Sequence, residues 1–140
     1  MSKDWAKDIN DMHNKFGVTK WVQAEQQSDN EVRRLSQLLE FRMKMIQEEV
    51  DETNAAIKNN DPQEIVDGLI DMCVFAIGTL DAFGIDAHKA WDQVHNANMA
   101  KEPGVKPSRP NPLGLPDLIK PEGWEGPTHD GNTGLFDNYI

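Results

Sequence analysis

The sequence predicts an all-α protein, and three observations carry this prediction. The stretch 29–58 contains neither glycine nor proline, and its apolar residues recur near the helical period. A second apolar stretch, 62–83, follows an Asp-Pro turn and ends before a glycine. The chain shows no alternating strand pattern and no internal repeat. We therefore expect an antiparallel helical hairpin that oligomerisation completes to a four-helix-bundle core.

Local signals place the helix ends in order along the chain. Gly17 suits the C-terminus of a first helix. Asp61 is a good N-cap, Pro62 fits the first helical position, and Asp86 is a further cap candidate. The predicted helices are about 4–16, 29–58, 62–83 and 86–101.

The last part of the chain differs in composition from the rest. Seven of the eight prolines and six of the ten glycines lie in residues 102–140, which predicts a segment without regular helix or sheet. The segment nevertheless carries Trp124, Leu135, Phe136 and Tyr139, and solvated tails rarely keep so many large apolar groups. We expect a helical domain, 1–101, and an arm, 102–140, that packs on the body or on a neighbouring subunit.

Composition narrows the class of partner. The 140 residues include 24 acidic and 14 basic side chains, and a formal charge of -10 disfavours binding to nucleic acid or anionic membranes. No apolar run is long enough to span a membrane, no signal peptide is evident, and Cys73 has no partner cysteine. We expect a cytoplasmic protein. Its amphipathic helices leave apolar faces that a homodimer or homotetramer would cover.

Acidic residues concentrate on both sides of the hairpin turn. Spacings of three and four put each group on one helix face, and antiparallel pairing brings Glu52 near Glu64 and Glu49 near Asp67. Carboxylates facing one another repel, and no lysine or arginine occupies matching positions. A hard cation, Mg²⁺ or Mn²⁺, fits between them. The candidate ligands are Glu48, Glu49, Glu52, Glu64, Asp67 and Asp71.

Other interpretations of these acids remain open at this point. The segment 48–52 is also typical of a solvated helix face, and Glu64 of a capping box. Asp67 and Asp71 are also consistent with polar positions at a subunit interface. A different class of function is a non-catalytic helical module whose acidic face binds a basic partner. A di-iron bundle is disfavoured because no glutamate here has a histidine three residues later.

The same residues resemble a known signature. Glu48-Glu49-x-x-Glu52 followed by Glu64-x-x-Asp67 is similar to the EExxE…ExxD pattern of the all-α nucleoside triphosphate pyrophosphatases, which include MazG, dimeric dUTPase and phosphoribosyl-ATP pyrophosphohydrolase. Gly84-Ile85-Asp86 with Val94-His95-x-x-Asn98-Met99-x-Lys101 resembles the phosphoribosyl-ATP-pyrophosphohydrolase-like branch. Phe16-Gly17 and Lys120-Pro121-x-Gly123-Trp124 also resemble that branch. The resemblance covers residues 12–101 well and the arm loosely.

The resemblance implies a metal-dependent hydrolase that cleaves a nucleotide between its α and β phosphates, giving a monophosphate and pyrophosphate. It implies metal ligation by Glu48 or Glu49, Glu52, Glu64 and Asp67, with Asp71 one turn further along. It also implies phosphate contacts from Asn98 and Lys101. Our leading substrate hypothesis is a (deoxy)nucleoside triphosphate with U, C or G, in nucleotide-pool control or house-cleaning. The alternative is phosphoribosyl-ATP.

Two catalytic roles follow from the expected chemistry. We expect Glu49 to act as general base and Lys101 to meet charge on the leaving group, although a lysine at this position also suits a helix C-terminus. Aromatic and polar side chains near the first helix are candidates for base recognition, with core packing as the alternative. They are His13, Asn14, Phe16 and Trp21.

Overall fold

The structure is a computed structural model that describes residues 1, 3–28, 33–108 and 112–139. The described residues are mostly helical, with one small sheet. The elements are α1 (Trp5–Phe16), α2 (Val18–Gln27), α3 (Arg33–Lys58), α4 (Pro62–Ala82), α5 (Ala87–Met99), β1 (Glu102–Gly104), β2 (Asp117–Ile119) and α6 (Phe136–Tyr139). The chain divides into two compact units, Met1–Ala87 with Thr133–Ile140 and His88–Asn132. The predicted division at Lys101 stays a prediction.

The predicted antiparallel hairpin of α3 and α4 is confirmed. Asp61 caps α4 by accepting a hydrogen bond from the Glu64 amide at 3.2 Å, and its own amide closes the turn onto the Ala56 carbonyl at 3.0 Å. Asn60 takes a left-handed conformation at φ 53°, which asparagine tolerates better than most residues. Residues 29–32 of the predicted second helix lie outside the described residues.

Helices α1, α2 and α6 complete the first unit. Gly17, at φ 87°, ends α1 as predicted and starts α2, which the prediction lacked. Val22 is the one buried residue of α2, so few apolar residues mark a helical period in its sequence, and the helix was not predicted. The Phe83 side chain is fully buried and stacks on the Phe136 ring at 4.7 Å, which holds α6 on this unit.

The second unit contains α5, β1 and β2. The strands pair antiparallel, with Glu102 opposite Ile119, so the expectation that 102–140 lacks regular structure is wrong. Proline is tolerated because each strand of a two-stranded ribbon has an edge that needs no amide donor, and Pro103 lies in such a strand. The Asp117 carboxylate further supports the ribbon by accepting from the Lys106 amide at 3.2 Å.

No single helix in the described ranges is long and apolar enough to cross a membrane, although α4 and α5 taken together as a bent pair pass the same length and composition test.

Candidate active site

The register of the hairpin determines which carboxylates face each other. A Cβ added at Gly68 would overlap Thr53 Oγ1, and one added at Gly78 would lie 2.9 Å from Arg42 Nη1. The contact with Thr53, which includes its Cα atom at 3.7 Å, places residues 53 and 68 at nearly equal heights, and the contact with Arg42 agrees with this register. By the same register Glu49 lies level with Asp71, and Asp67 lies about one helical turn nearer the hairpin loop.

The electrostatics of Glu49 show how closely the acids gather. Glu49 and Asp71 are half-buried, whereas the other four candidate carboxylates are exposed. Desolvation raises the pKa of the Glu49 carboxyl, and four like charges raise it further, in the order Glu52, Asp71, Asp67 and Glu48. Glu64, in the first turn of α4, is not among these charges. Four of the other five predicted ligands thus lie near enough to Glu49 to repel its charge.

Among the described residues, these carboxylates have no cationic side chain paired with them. In the part of the chain that the structure describes, none of the six forms an ion pair with lysine or arginine. Clustered oxygen donors without a counter-charge fit a hard divalent cation. Across the described ranges, however, no three acidic, histidine or cysteine side chains lie close enough together to hold an ion. The carboxylates therefore fit a metal in charge and donor type, but their described side chains do not lie close enough together to hold one.

An apolar pocket of about 280 Å³ lies beside the carboxylates on the same unit. Met45 is one turn from Glu49 on α3, and Phe75 is one turn from Asp71 on α4, so the pocket begins about 6 Å from the acids. Its two ionisable lining residues are His13 and Arg42. The apolar lining residues are Met12, Phe16, Val18, Leu38, Phe41, Met45, Val74 and Phe75.

His13 is fixed by an acidic partner. It is 3% exposed, and its Nδ1 atom is 2.7 Å from Oδ2 of Asp81. The other oxygen of Asp81 accepts a hydrogen bond from Asn10 Nδ2 at 3.0 Å. Because Asp81 accepts from Nδ1, the proton of a neutral His13 ring resides on Nδ1 and Nε2 is left as an acceptor.

Arg42 brings a cation to the same pocket. Burial lowers the pKa of its guanidinium, and the nearby Asp81 charge acts in the opposite direction. Gly78 makes room for this side chain, because a Cβ there would crowd Arg42 Nη1 and lie 3.4 Å from His13 Nε2. The pocket thus combines a cationic hydrogen-bond donor with apolar walls.

The remaining predicted site residues have different surroundings. Phe16 lines the pocket and is 69% exposed, whereas Asn14 is exposed and donates to Asn10 Oδ1 at 3.1 Å. Trp21 lies under the Arg34 guanidinium, 5.5 Å from the ring centre, and is not among the described pocket-lining residues. Asn98, exposed, and Lys101 belong to the second unit, where Lys101 Nζ lies 5.3 Å from the Trp124 ring centre.

Sequence reasoning missed Arg42, Gly78 and Asp81 as parts of this region. A signal for one of them was available, because glycine inside an apolar helix marks a close approach. Gly68 and Gly78 both lie inside α4 and both face side chains of neighbouring helices. Asp81 carried no comparable signal, since its partner His13 is distant in the sequence.

Comparison with known protein families identifies the class to which this helical hairpin belongs. The family described as phosphoribosyl-ATP pyrophosphohydrolase (PRA-PH) matches residues 10–98. The chain therefore belongs to the PRA-PH family, within the all-α NTP pyrophosphatase superfamily of hydrolases that act on phosphoanhydride bonds. This family is typically Mg²⁺-dependent. No curated protein matches the chain.

Proposed function

We propose that this protein is a metal-dependent hydrolase that cleaves the α–β phosphoanhydride of phosphoribosyl-ATP. The family match supports the reaction and the substrate. The observation that carries the metal dependence is the half-buried Glu49 carboxyl, whose pKa is raised by desolvation and by four neighbouring carboxylates with no cationic side chain paired to them. A bound cation would relieve this repulsion.

Each acid has a proposed role. Glu52, Asp67 and Asp71 hold the ion with Glu48, and Glu64 is a further ligand candidate from the first turn of α4. When bound, Mg²⁺ or Mn²⁺ neutralises phosphate charge and lowers the pKa of water. Glu49 is the residue best suited to accept a proton from the attacking water, because its raised pKa brings it nearer the working pH.

Phosphate contacts are proposed for the second unit. Asn98 offers an amide donor, and Lys101 offers a cation to the charge that develops on the leaving pyrophosphate. Both side chains match the segment resembling the phosphoribosyl-ATP-pyrophosphohydrolase-like branch.

The apolar pocket is the proposed base site. It begins about one helical turn from Glu49 and Asp71, a distance that a sugar bridges between a phosphate on the carboxylate cluster and a base in the pocket. Phe16 supplies a stacking face, and Arg42 supplies hydrogen-bond donors to an oxo or ring-nitrogen acceptor. Trp21 and Asn14 are not among the described residues that line this pocket, and their role in base recognition stays a prediction.

A second candidate substrate is a simple (deoxy)nucleoside triphosphate. One observation favours it. Arg42 is the single lysine or arginine among the described pocket-lining residues. A phosphoribosyl group on the base would bring a further phosphate, whose negative charge the pocket would also have to neutralise. An apolar pocket of about 280 Å³ suits one base without that group.

The decisive experiment is a substrate panel with Mg²⁺ and with Mn²⁺. Phosphoribosyl-ATP, the four dNTPs and the four NTPs are incubated with the protein, and pyrophosphate and monophosphate release are measured. We expect release with phosphoribosyl-ATP at the highest kcat/KM. A dNTP with the highest kcat/KM would favour the second candidate. Absence of turnover together with absence of Mn²⁺ binding in calorimetry would overturn the enzyme proposal and favour an acidic interaction module.

Arg42→Met is expected to raise KM for the preferred nucleotide about tenfold with little change in kcat. Methionine keeps most of the side-chain volume but removes a charge-assisted hydrogen bond, which contributes about 1.5–3 kcal/mol. Steady-state kinetics measures both parameters. Lys44→Met is the matched control, because Lys44 is exposed on the same helix, carries the same charge and does not line the pocket. A loss in kcat at unchanged KM would contradict the base-site assignment.

We also propose a homodimer or homotetramer that completes the four-helix-bundle core. The hairpin exposes Met43, Ile57, Val66, Leu69 and Ile70, each at least 45% exposed. Apolar side chains this numerous on one hairpin are typical of an interface. Light scattering on the eluted protein at micromolar concentration should give twice or four times the 15.8 kDa chain mass. A stable monomer would contradict the proposal.

A further inference from the structure

Beyond the matched region, one aromatic ring lies against two lysine ammonium groups. The Nζ atoms of Lys101 and Lys120 are 5.3 Å and 5.1 Å from the centre of the Trp124 ring. The π face attracts each cation, but two ammonium groups on one ring repel each other. The arrangement therefore keeps two like charges close together.

Neither lysine is neutralised by a carboxylate. Within the described ranges, neither forms an ion pair, although Glu102 adjoins Lys101 in sequence and Glu122 is two residues from Lys120. Acidic residues outnumber basic ones 24 to 14 in this chain, so partners are plentiful. Two cations that share one ring and have no described ion-pair partner could both be neutralised by one anion.

The ring itself is held in place. The Trp124 indole donates from Nε1 to the Ala97 carbonyl at 2.8 Å, and its amide donates to the Pro121 carbonyl at 3.0 Å. Trp124 is half-buried and forms part of a groove of about 540 Å³ that Gln93, Asn96, Glu122 and Glu125 also line. A fixed ring restricts where both flexible lysine side chains lie, which lowers the entropy cost of binding an anion between them.

We propose that Lys101, Lys120 and Trp124 form a binding site for a diphosphate group, with Trp124 as the positioning residue. The two Nζ atoms lie within about 10 Å of each other, since both contact one ring. The choice of diphosphate over other dianions rests on the proposed function, which releases pyrophosphate.

The test is calorimetric titration of inorganic pyrophosphate into the full chain in EDTA, with inorganic phosphate as the comparison anion. We expect pyrophosphate to bind more tightly than phosphate, and Lys120→Ala and Trp124→Leu each to weaken pyrophosphate binding about tenfold. Lys15→Ala is the matched control, because Lys15 lies 5.3 Å from the Phe16 ring centre and its loss changes the net charge equally. Its pyrophosphate affinity should equal that of the wild type.

The double variant tests the positioning role. If Trp124 acts through Lys120, the loss on Lys120→Ala is smaller in the Trp124→Leu background than in the wild type. Trp124→Phe, which keeps an aromatic face, should restore part of the affinity, and circular dichroism checks that each variant is folded. Equal affinities of wild type, Lys120→Ala and Trp124→Leu would overturn the proposal, and so would strictly additive losses.

The pyrophosphate titration and the substrate panel can give independent results, so failure of the anion site can be told apart from failure of the proposed hydrolase function. Pyrophosphate binding that depends on Lys120, without turnover of any nucleotide, would support the anion site and reject the hydrolase. Turnover with pyrophosphate binding that is indifferent to Lys120 and Trp124 would support the hydrolase and reject the anion site.

Discussion

Glu49→Gln is expected to reduce hydrolysis at least 100-fold while the protein stays folded. Removing a residue that only hydrogen-bonds to a metal ligand costs about 10–100-fold in metal affinity or activity. Because Glu49 is proposed to accept a proton in the reaction itself, the loss should be at least as large. Amide and carboxylate have nearly the same shape, so packing in the hairpin is preserved. Turnover with saturating Mg²⁺ measures the effect, and Asp71→Asn should behave similarly because Asp71 lies level with Glu49 across the hairpin.

Asp51→Asn is the control for Glu49→Gln. Asp51 is exposed on the same helix and accepts a hydrogen bond from Gln47 Nε2 at 3.0 Å, but it is not among the charges that raise the Glu49 pKa. This variant should retain near-normal turnover. If Glu49→Gln also retained it, the carboxylate cluster would not be the catalytic centre.

The pH dependence of stability provides an independent readout for the same residue. The folded-state pKa of Glu49 lies above its ordinary value of 4.5, so the folded protein binds the proton more tightly than the unfolded chain does. The resulting stabilisation is present below pH 4.5 and is lost as the pH rises through the folded-state pKa. In EDTA, the Tm of the wild type minus that of Glu49→Gln should therefore fall with rising pH. Added Mg²⁺ should raise the wild-type Tm above that of the variant.

The hairpin was predictable because its signals are local. Two of these signals, the Asp61-Pro62 cap and the Gly17 stop, act within one helical turn, and the structure retains both. The long stretch without glycine or proline forms α3 over its described residues. Sequence spacing also placed the acids on facing sides. It paired Glu49 with Asp67, however, whereas the contacts at Gly68 and Gly78 put Asp71 level with Glu49. Register depends on how closely the helices approach, and that is a property of packing.

Long-range pairs lay beyond sequence reasoning for the same reason. The contact of His13 with Asp81 joins helices α1 and α4, and neither residue has a sequence pattern that names the other. The two-stranded ribbon depends on pairing across residues 105–116, and its proline content masked it. The PRA-PH match stops at residue 98. The Lys-Pro-x-Gly-Trp resemblance singles out Lys120 and Trp124 in the sequence, but only the structure shows Lys101 and Lys120 against the same ring.

Gly68→Ala is expected to lower the free energy of unfolding by about 1–3 kcal/mol, the usual cost of overpacking. The added methyl would overlap Thr53 Oγ1 and lie 3.3 Å from Thr53 Cβ, so rotation of the hydroxyl alone does not relieve the clash. Thr53 is buried, and its hydroxyl donates to the Glu49 carbonyl at 2.6 Å, so the clash also disturbs the backbone at the proposed catalytic residue. Alanine favours helix by about 0.5–1 kcal/mol relative to glycine, which only partly offsets the loss. Denaturant unfolding measures the stability change, and turnover should fall with it.

A compensating substitution distinguishes steric overlap from a general effect of the new residue. Thr53→Ala removes the atom that the methyl would strike, so Gly68→Ala with Thr53→Ala should be more stable than the Gly68→Ala variant alone. Gly126→Ala is the control, because a Cβ there would lie 3.5 Å from the Trp124 ring, an ordinary contact, and its stability should change little. If Gly68→Ala were as stable as the wild type, α3 and α4 would lie further apart than described, and the pairing of Glu49 with Asp71 would lose its support.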